Sequence, residues 1–250
     1  MLANFDLNYL LTFPMKDAQA RKQFLIGMLL YLAAFIVPII PTLFVTGYMM
    51  RIIRQILNGE QPRMTDWDEW GELFTDGARL FGVSLVFMLP LFILFCPLIG
   101  LSIAFPFILE NTSRNADWIV ILFPLLVGGI FLILMPLSIG ISLILPVAEV
   151  HVTDKGEFGA AFRVREWWEI FRANWGGFLL ALAIAYGISF ALSIIVQFAM
   201  FTIVLICLLP FVLPGIWMYM SLIMYATFAQ AYKGGQEKLT GQSVVAPEQG

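Results

Sequence analysis

Charge is scarce in this chain, and that scarcity excludes most soluble folds. Only 12% of the 250 residues are Asp, Glu, Lys or Arg, where soluble domains carry roughly 25%. With 60% hydrophobic residues and a mean hydropathy of +0.89, such a chain has too little polar surface to cover itself in water. Histidine occurs once, and the two cysteines, Cys96 and Cys207, sit in separate apolar runs. They read as buried free thiols, because neither has a second ligand or a partner thiol nearby. There is no His/Glu metal motif, no Gly-x-Ser-x-Gly nucleophile motif and no glycine-rich phosphate loop. Hydrolytic, metal-dependent and ATP-driven chemistry are therefore not expected, and no cofactor or metal is expected. A net charge of −3 without a long basic stripe gives no reason to expect nucleic acid. Nor does any ionisable residue fall in the middle of a long apolar run, where coupled transporters and intramembrane proteases need one. Gln197 and Gln230 are the strongest polar candidates there.

Long apolar runs are what the chain has instead: Leu80–Leu109, Trp118–Val150, Phe178–Leu213 and Gly215–Ala231. A helix needs about 20 apolar residues to cross a bilayer. The first two runs hold one span each, separated by a polar turn at Glu110–Asp117, and Phe178–Ala231 holds two. The turn between that last pair is expected near Cys207–Pro214, where Pro210 and Pro214 would interrupt a helix. The first apolar stretch, Phe24–Met50, follows Lys16, Arg21 and Lys22 but lacks a small-residue cleavage site, so it reads as retained. If it reverses at Pro38-Ile39-Ile40-Pro41, the lysines and arginines divide 13 against 1 between the two sides; a single crossing gives 10 against 4. The hairpin fits the positive-inside rule better. The expected fold is an all-α polytopic membrane protein of about six helices, the first two short and either crossing or re-entrant. Both termini face the cytoplasm in the cell membrane. Residues 1–233 form one membrane domain (units of about 1–60, 61–157 and 158–233), and the polar tail 234–250 is expected to be disordered.

Two segments between spans are amphipathic. In Thr65–Gly77, Trp67, Trp70, Leu73 and Phe74 recur at helical spacing beside Asp66, Glu69, Glu72 and Asp76, with Thr65 as the expected N-cap. In Phe162–Trp175, Trp167, Trp168, Ile170, Phe171 and Trp175 alternate with Arg163, Arg165, Glu166, Glu169 and Arg172. Tryptophan favours the headgroup region, so both segments read as interfacial helices. Aligning Glu69–Leu85 with Glu166–Leu182 gives six identities in 17 positions, which suggests a parallel internal repeat of one interfacial and two membrane helices. The acidic row Asp66, Glu69, Glu72, Asp76 has three readings: a solvated face, a divalent-cation site, or a docking surface for Arg163, Arg165 or Arg172. The solvated face is the favoured one. Glu149 and His151 could handle protons, but they read first as the marker of a helix end. The frequent glycines of the runs (Gly100, Gly128, Gly129, Gly140, Gly187) read as sites of close helix packing, and the prolines as kinks.

The block Trp67-Asp68-Glu69-Trp70-Gly71-Glu72-Leu73-Phe74, with Asp76-Gly77 after it, resembles the signature of a prokaryotic membrane family known only as domain of unknown function 4013. Phe13-Pro14 with Asp17, Gly47-Tyr48 with Arg51, Asn58-Gly59-Glu60, and Phe162-Arg163 with Arg172-Ala173-Asn174 are similar to further parts of its pattern. The Pro-Ile-Ile-Pro turn is less polar than that pattern implies. The resemblance implies a multi-helix membrane fold of bacterial or archaeal origin and no activity. The functional expectation is a non-enzymatic scaffold or accessory subunit. Its expected partners are membrane lipids and a protein partner or second copy, met through the two Trp-rich segments. The alternative is a passive transporter of lipid or small molecules.

Overall fold

The computed structural model describes residues 7–111, 117–200 and 203–241, and among these every regular element is a helix. The order is α1 (Leu7–Thr12), α2 (Ala18–Ala33), α3 (Ile39–Leu57), α4 (Trp70–Asn111), α5 (Asp117–Lys155), α6 (Val164–Ala173), α7 (Trp175–Ala199) and α8 (Ile203–Leu239). Short 3-10 turns occupy Phe13–Met15 and Phe158–Phe162. Four helices, α4, α5, α7 and α8, are long and apolar enough to cross a membrane. The turn expected at Glu110–Asp117 and the last nine residues of the tail lie largely outside the described residues.

Local chemistry explains the hairpin. Asp17 caps α2 by accepting from the Ala20 amide at 2.7 Å, and α3 begins behind Pro38 with Pro41 in its first turn, where a missing N–H is harmless. Reversal occurs between Ala33 and Ile39, slightly before the Pro-Ile-Ile-Pro motif. At 16 and 19 residues, α2 and α3 are shorter than the four long helices. Helix α3 stops in a Schellman motif: Gly59 takes φ +87°, its amide bonds Ile56 O at 3.0 Å, and the Glu60 amide bonds Gln55 O at 2.9 Å.

Four expectations are corrected. The segment Thr65–Gly77 is not a separate interfacial helix capped by Thr65; its first five residues are non-helical, and from Trp70 the helix runs unbroken into the apolar run. Glu69, at φ +51°, sets that start. Likewise, the break between the last two spans comes after Ala199, while Pro210 and Pro214 lie inside α8. Membrane helices tolerate proline because neighbouring groups satisfy the freed carbonyls. The polar tail begins later than expected, since α8 continues through Gly234 and Gly235 to Leu239. Gly235 lies against Ile170, where a Cβ would come within 2.6 Å of the Ile170 carbonyl. Lastly, Cys96 and Cys207 are exposed on their helices, as residues of lipid-facing segments can be.

The chain forms two compact units, Met1–Val83 with Pro146–Gly250, and Ser84–Leu145. The first is organised around α8, which packs against α1, α2, α3, α6 and α7. Its core includes Leu10, Phe13, Tyr48, Leu73, Phe178, Met218, Phe228 and Tyr232. In the second unit, apolar side chains such as Ile93, Ile103, Leu125, Leu132 and Met135 are exposed. Phe105 and Phe123 stack at 3.8 Å, and Met88, Leu91, Phe92, Phe95, Phe131 and Leu134 line an apolar cavity of about 450 Å³. The glycines expected to mark close packing, Gly100, Gly128, Gly129, Gly140 and Gly187, have open space where a Cβ would stand. Close approach belongs to Gly47 and Gly77 in the first unit.

Candidate functional site

The start of α4 is fastened to α3 by backbone contact and by charge. A Cβ on Gly47 would overlap the Leu73 carbonyl, and one on Gly77 would overlap the Leu43 carbonyl. This reciprocal pairing brings the two backbones together in antiparallel sense. One and two turns further along α3, Arg51 and Arg54 meet the acidic row. Arg51 donates to the Asp66 carbonyl at 3.0 Å, the Asp68 carbonyl at 2.9 Å and Glu69 Oε2 at 3.2 Å, and pairs with the Asp68 carboxylate. One guanidinium thus grips the turn that holds Glu69 in the left-handed region, which only such fixation maintains for a non-glycine residue. Arg51 also holds the Asp68 carboxyl below its ordinary value, chiefly through their hydrogen bond. Arg54 pairs with Glu72 at 3.1 Å and with Asp76, which is buried and also pairs with Arg79 at 3.1 Å.

The four acids of the row therefore do not share one solvated face. Asp66 accepts from Gln19 at 3.3 Å and from Gln23, Glu69 and Glu72 meet α3, and Asp76 is buried. Among the described residues no three His, Cys, Asp or Glu side chains are grouped to hold a metal ion. Nor does the row meet the second arginine cluster. Arg163 pairs with Glu157 at 2.8 Å and Glu166 at 3.5 Å, and Arg165 with Glu169 at 3.2 Å. Sequence could not show that Arg51 and Arg54 are the partners, because they precede the row by a helix end and a non-helical segment.

The tryptophans divide into two kinds. Trp67 stacks on Tyr48 at 4.1 Å and donates to the Gln23 carbonyl at 2.9 Å, and Trp167 donates to the Ala161 carbonyl at 3.0 Å. Both are buried core residues. Trp70, Phe74 and Trp168 are exposed. Around α6 the faces follow in order. Trp167 and Ile170 are buried, then come Phe171, Val164 and exposed Trp168, then exposed Arg172 and Arg165, then Glu169 and Glu166. Trp168, Phe171 and Trp175 form a continuous aromatic ribbon, with centroids 5.2 and 6.5 Å apart. The two aligned segments of the sequence thus have different backbones, one continuous with its span and one ending at Asn174.

The structure also contains a polar row, buried at Glu149, His151, Tyr225 and Tyr232, that the sequence understated. Ser221, Tyr225, Tyr232 and Gln236 fall on one face of α8, and each meets a polar partner. Ser221 bonds Tyr31 at 2.8 Å, Tyr225 donates to Glu149 at 3.0 Å, Tyr232 meets His151 Nδ1 at 2.6 Å, and Gln236 donates to Asp154 at 3.1 Å. His151 Nε2 lies 3.2 Å from Glu166 of α6. Glu149 and His151 do not mark a helix end, since α5 continues to Lys155 and both side chains are buried.

A family model described as "Protein of unknown function (DUF4013)" matches residues 30–201. No curated protein and no solved structure matches the chain.

Proposed function

The chain belongs to the DUF4013 family, and we propose that it is a non-enzymatic integral membrane scaffold or accessory subunit that engages lipid and a membrane partner through α6 and the start of α4. The observation that carries this reading is the sectored surface of α6. One face is committed to the core, and the next is an exposed aromatic ribbon edged by Arg165 and Arg172. An apolar stripe beside arginines suits the headgroup boundary, where rings enter the acyl region and guanidinium groups meet phosphate. In this reading α2 and α3 join the four long helices in about six membrane segments. Both termini then lie on the cytoplasmic side, and the repeat survives in sequence more than in backbone.

A lipid-transport reading has one observation in its favour, the apolar cavity of about 450 Å³ between α4 and α5. Its volume falls within the range of small-molecule sites.

Gentle-detergent purification from native membranes, followed by mass spectrometry of what remains bound, separates the two. A stoichiometric protein partner that is lost in Trp168→Ala supports the scaffold. One enriched lipid without a protein partner moves the assignment to lipid binding, and neither outcome with unchanged Trp168→Ala removes the scaffold. Cysteine labelling at positions 113 and 243 tests the topology: the two sites should react from opposite sides.

A further inference from the structure

The polar row contains a histidine, the residue type whose charge ordinarily changes between about pH 5 and 8, and its surroundings define two hydrogen-bond arrangements. His151 is fully buried on α5, between Tyr232 of α8 at Nδ1 and Glu166 of α6 at Nε2. Tyr232 also lies 3.4 Å from Asp154 Oδ2, so its hydroxyl has two acceptors within reach. A carboxylate only accepts, so Nε2 carries the hydrogen shared with Glu166. With a neutral imidazole, the Tyr232 hydroxyl must then donate to Nδ1. When Nδ1 gains a proton it becomes a donor. The Tyr232 oxygen accepts from it, and the hydroxyl hydrogen turns to Asp154. A hydronium ion gives up the proton: one of its O–H bonds breaks, leaving water, as the Nδ1–H bond forms, and the Tyr232 hydrogen only changes its acceptor.

We propose that His151 is a proton-binding site whose occupancy tightens α6 against the end of α5, through a charge-assisted bond to Glu166 and a reoriented Tyr232 hydroxyl. The charged and titratable groups facing it are few. On α5 they are Glu149, Asp154 and Lys155, the last 3.2 Å from Asp154. On α6 there is Glu166, itself paired with Arg163, and on α8 there are Tyr232 and Tyr225. Carboxylates outnumber cations around the ring, which favours the imidazolium, while burial opposes it. Asp154, which lies beside the Tyr232 hydroxyl on the Nδ1 side, keeps 21% of its side chain open, and Glu166 on the Nε2 side keeps 43% open, so solvent borders both ends of the hydrogen-bond chain. This device does not depend on which partner α6 engages.

The test uses a nitroxide at Val164→Cys, an exposed position at the start of α6, in the full-length chain with Cys96 and Cys207 replaced by alanine. In lipid nanodiscs, label mobility should fall as pH is lowered from about 8 to about 5. The transition should disappear in His151→Gln and in Glu166→Gln, weaken in Tyr232→Phe, and persist in Glu169→Gln on the same helix. Glu166→Gln keeps an acceptor at a half-exposed position and so remains informative if His151→Gln fails to fold. A label that ignores pH in the parent chain, or a transition that survives Glu166→Gln, overturns the proposal.

Discussion

The two units of this chain use the same apolar alphabet for opposite purposes. In the unit built around α8, a core of apolar side chains turns inward, and buried polar groups such as Glu149, His151 and Tyr232 meet partners, while Gln23 Oε1, Thr65 Oγ1 and Gln230 Oε1 stay unpaired. In the unit 84–145, made of parts of α4 and α5, apolar side chains turn outward. Only 6% of the most apolar stretch of each of these helices is buried within the chain, against 28% for α8. Hydrophobicity alone therefore says where a segment lives, and close backbone contacts and paired polar groups say where the fold is specified. In the bilayer, apolar exposure needs no covering layer, so the second unit is specified by its solvent.

Glycine gives the sharpest test. Gly77→Val places a branched side chain into the Leu43 backbone, which cannot retreat as a flexible side chain can. The expected result is loss of monodisperse, thermally cooperative protein. Gly128→Ala, with open space around it, should leave melting unchanged; equal effects would erase the distinction between the units. Next in size is Leu132→Arg. Leu132 is among the most exposed apolar residues, and arginine at mid-span costs about 2.5–3.5 kcal/mol on insertion scales. Membrane-integrated yield should drop sharply, and normal integration would mean the hairpin does not lie in lipid. Asp76→Ala comes third, at about 2–3 kcal/mol in a denaturant titration. That is below the loss expected for a fully buried pair, because Arg54 and Arg79 retain access to water.

The smallest effect concerns Asp68. Its carboxyl is held below the ordinary value of 3.8 by Arg51, so it is depressed in the folded state relative to the unfolded one. The stabilisation is then fully present above about 3.8 and is lost as pH falls through the lower folded value. Arg51→Gln should return Asp68 to ordinary titration, followed by its carboxylate chemical shift. Because Asp68 is exposed, global melting should hardly respond.

Much of this arrangement could be read in the sequence. The long runs 80–109 and 118–150 became α4 and α5, the reversal around Pro38 was placed within a few residues, and α6 was recognised from its tryptophan and arginine alternation. What escaped depends on tertiary contact. Trp67 and Trp70 look alike in a periodic pattern, yet one is stacked under Tyr48 and the other is exposed, because a residue at φ +51° separates the non-helical strap from the helix. Pro210 and Pro214 looked like helix breakers and the residues from 234 like the start of a disordered tail; both prolines lie inside α8, and Gly235 supplies clearance for Ile170. The polar row was hardest, since its members come from α2, α5, α6 and α8, and the three that share a short window, Glu149, His151 and Asp154, meet their partners only in the folded chain.

The central position of α8 also sets the order of assembly. Tyr219 donates to the Leu11 carbonyl at 3.1 Å across 208 residues of sequence, and Tyr31 finds Ser221 across 190. During synthesis the segments that surround α8 leave the ribosome first and wait for it. The hairpin of α4 and α5 can enter the bilayer alone, but α1 to α3 remain without their main packing partner until the eighth helix arrives. Contacts of such long range slow closure, so the nascent chain passes through a stage in which the unit 84–145 is complete and the unit built around α8 is not.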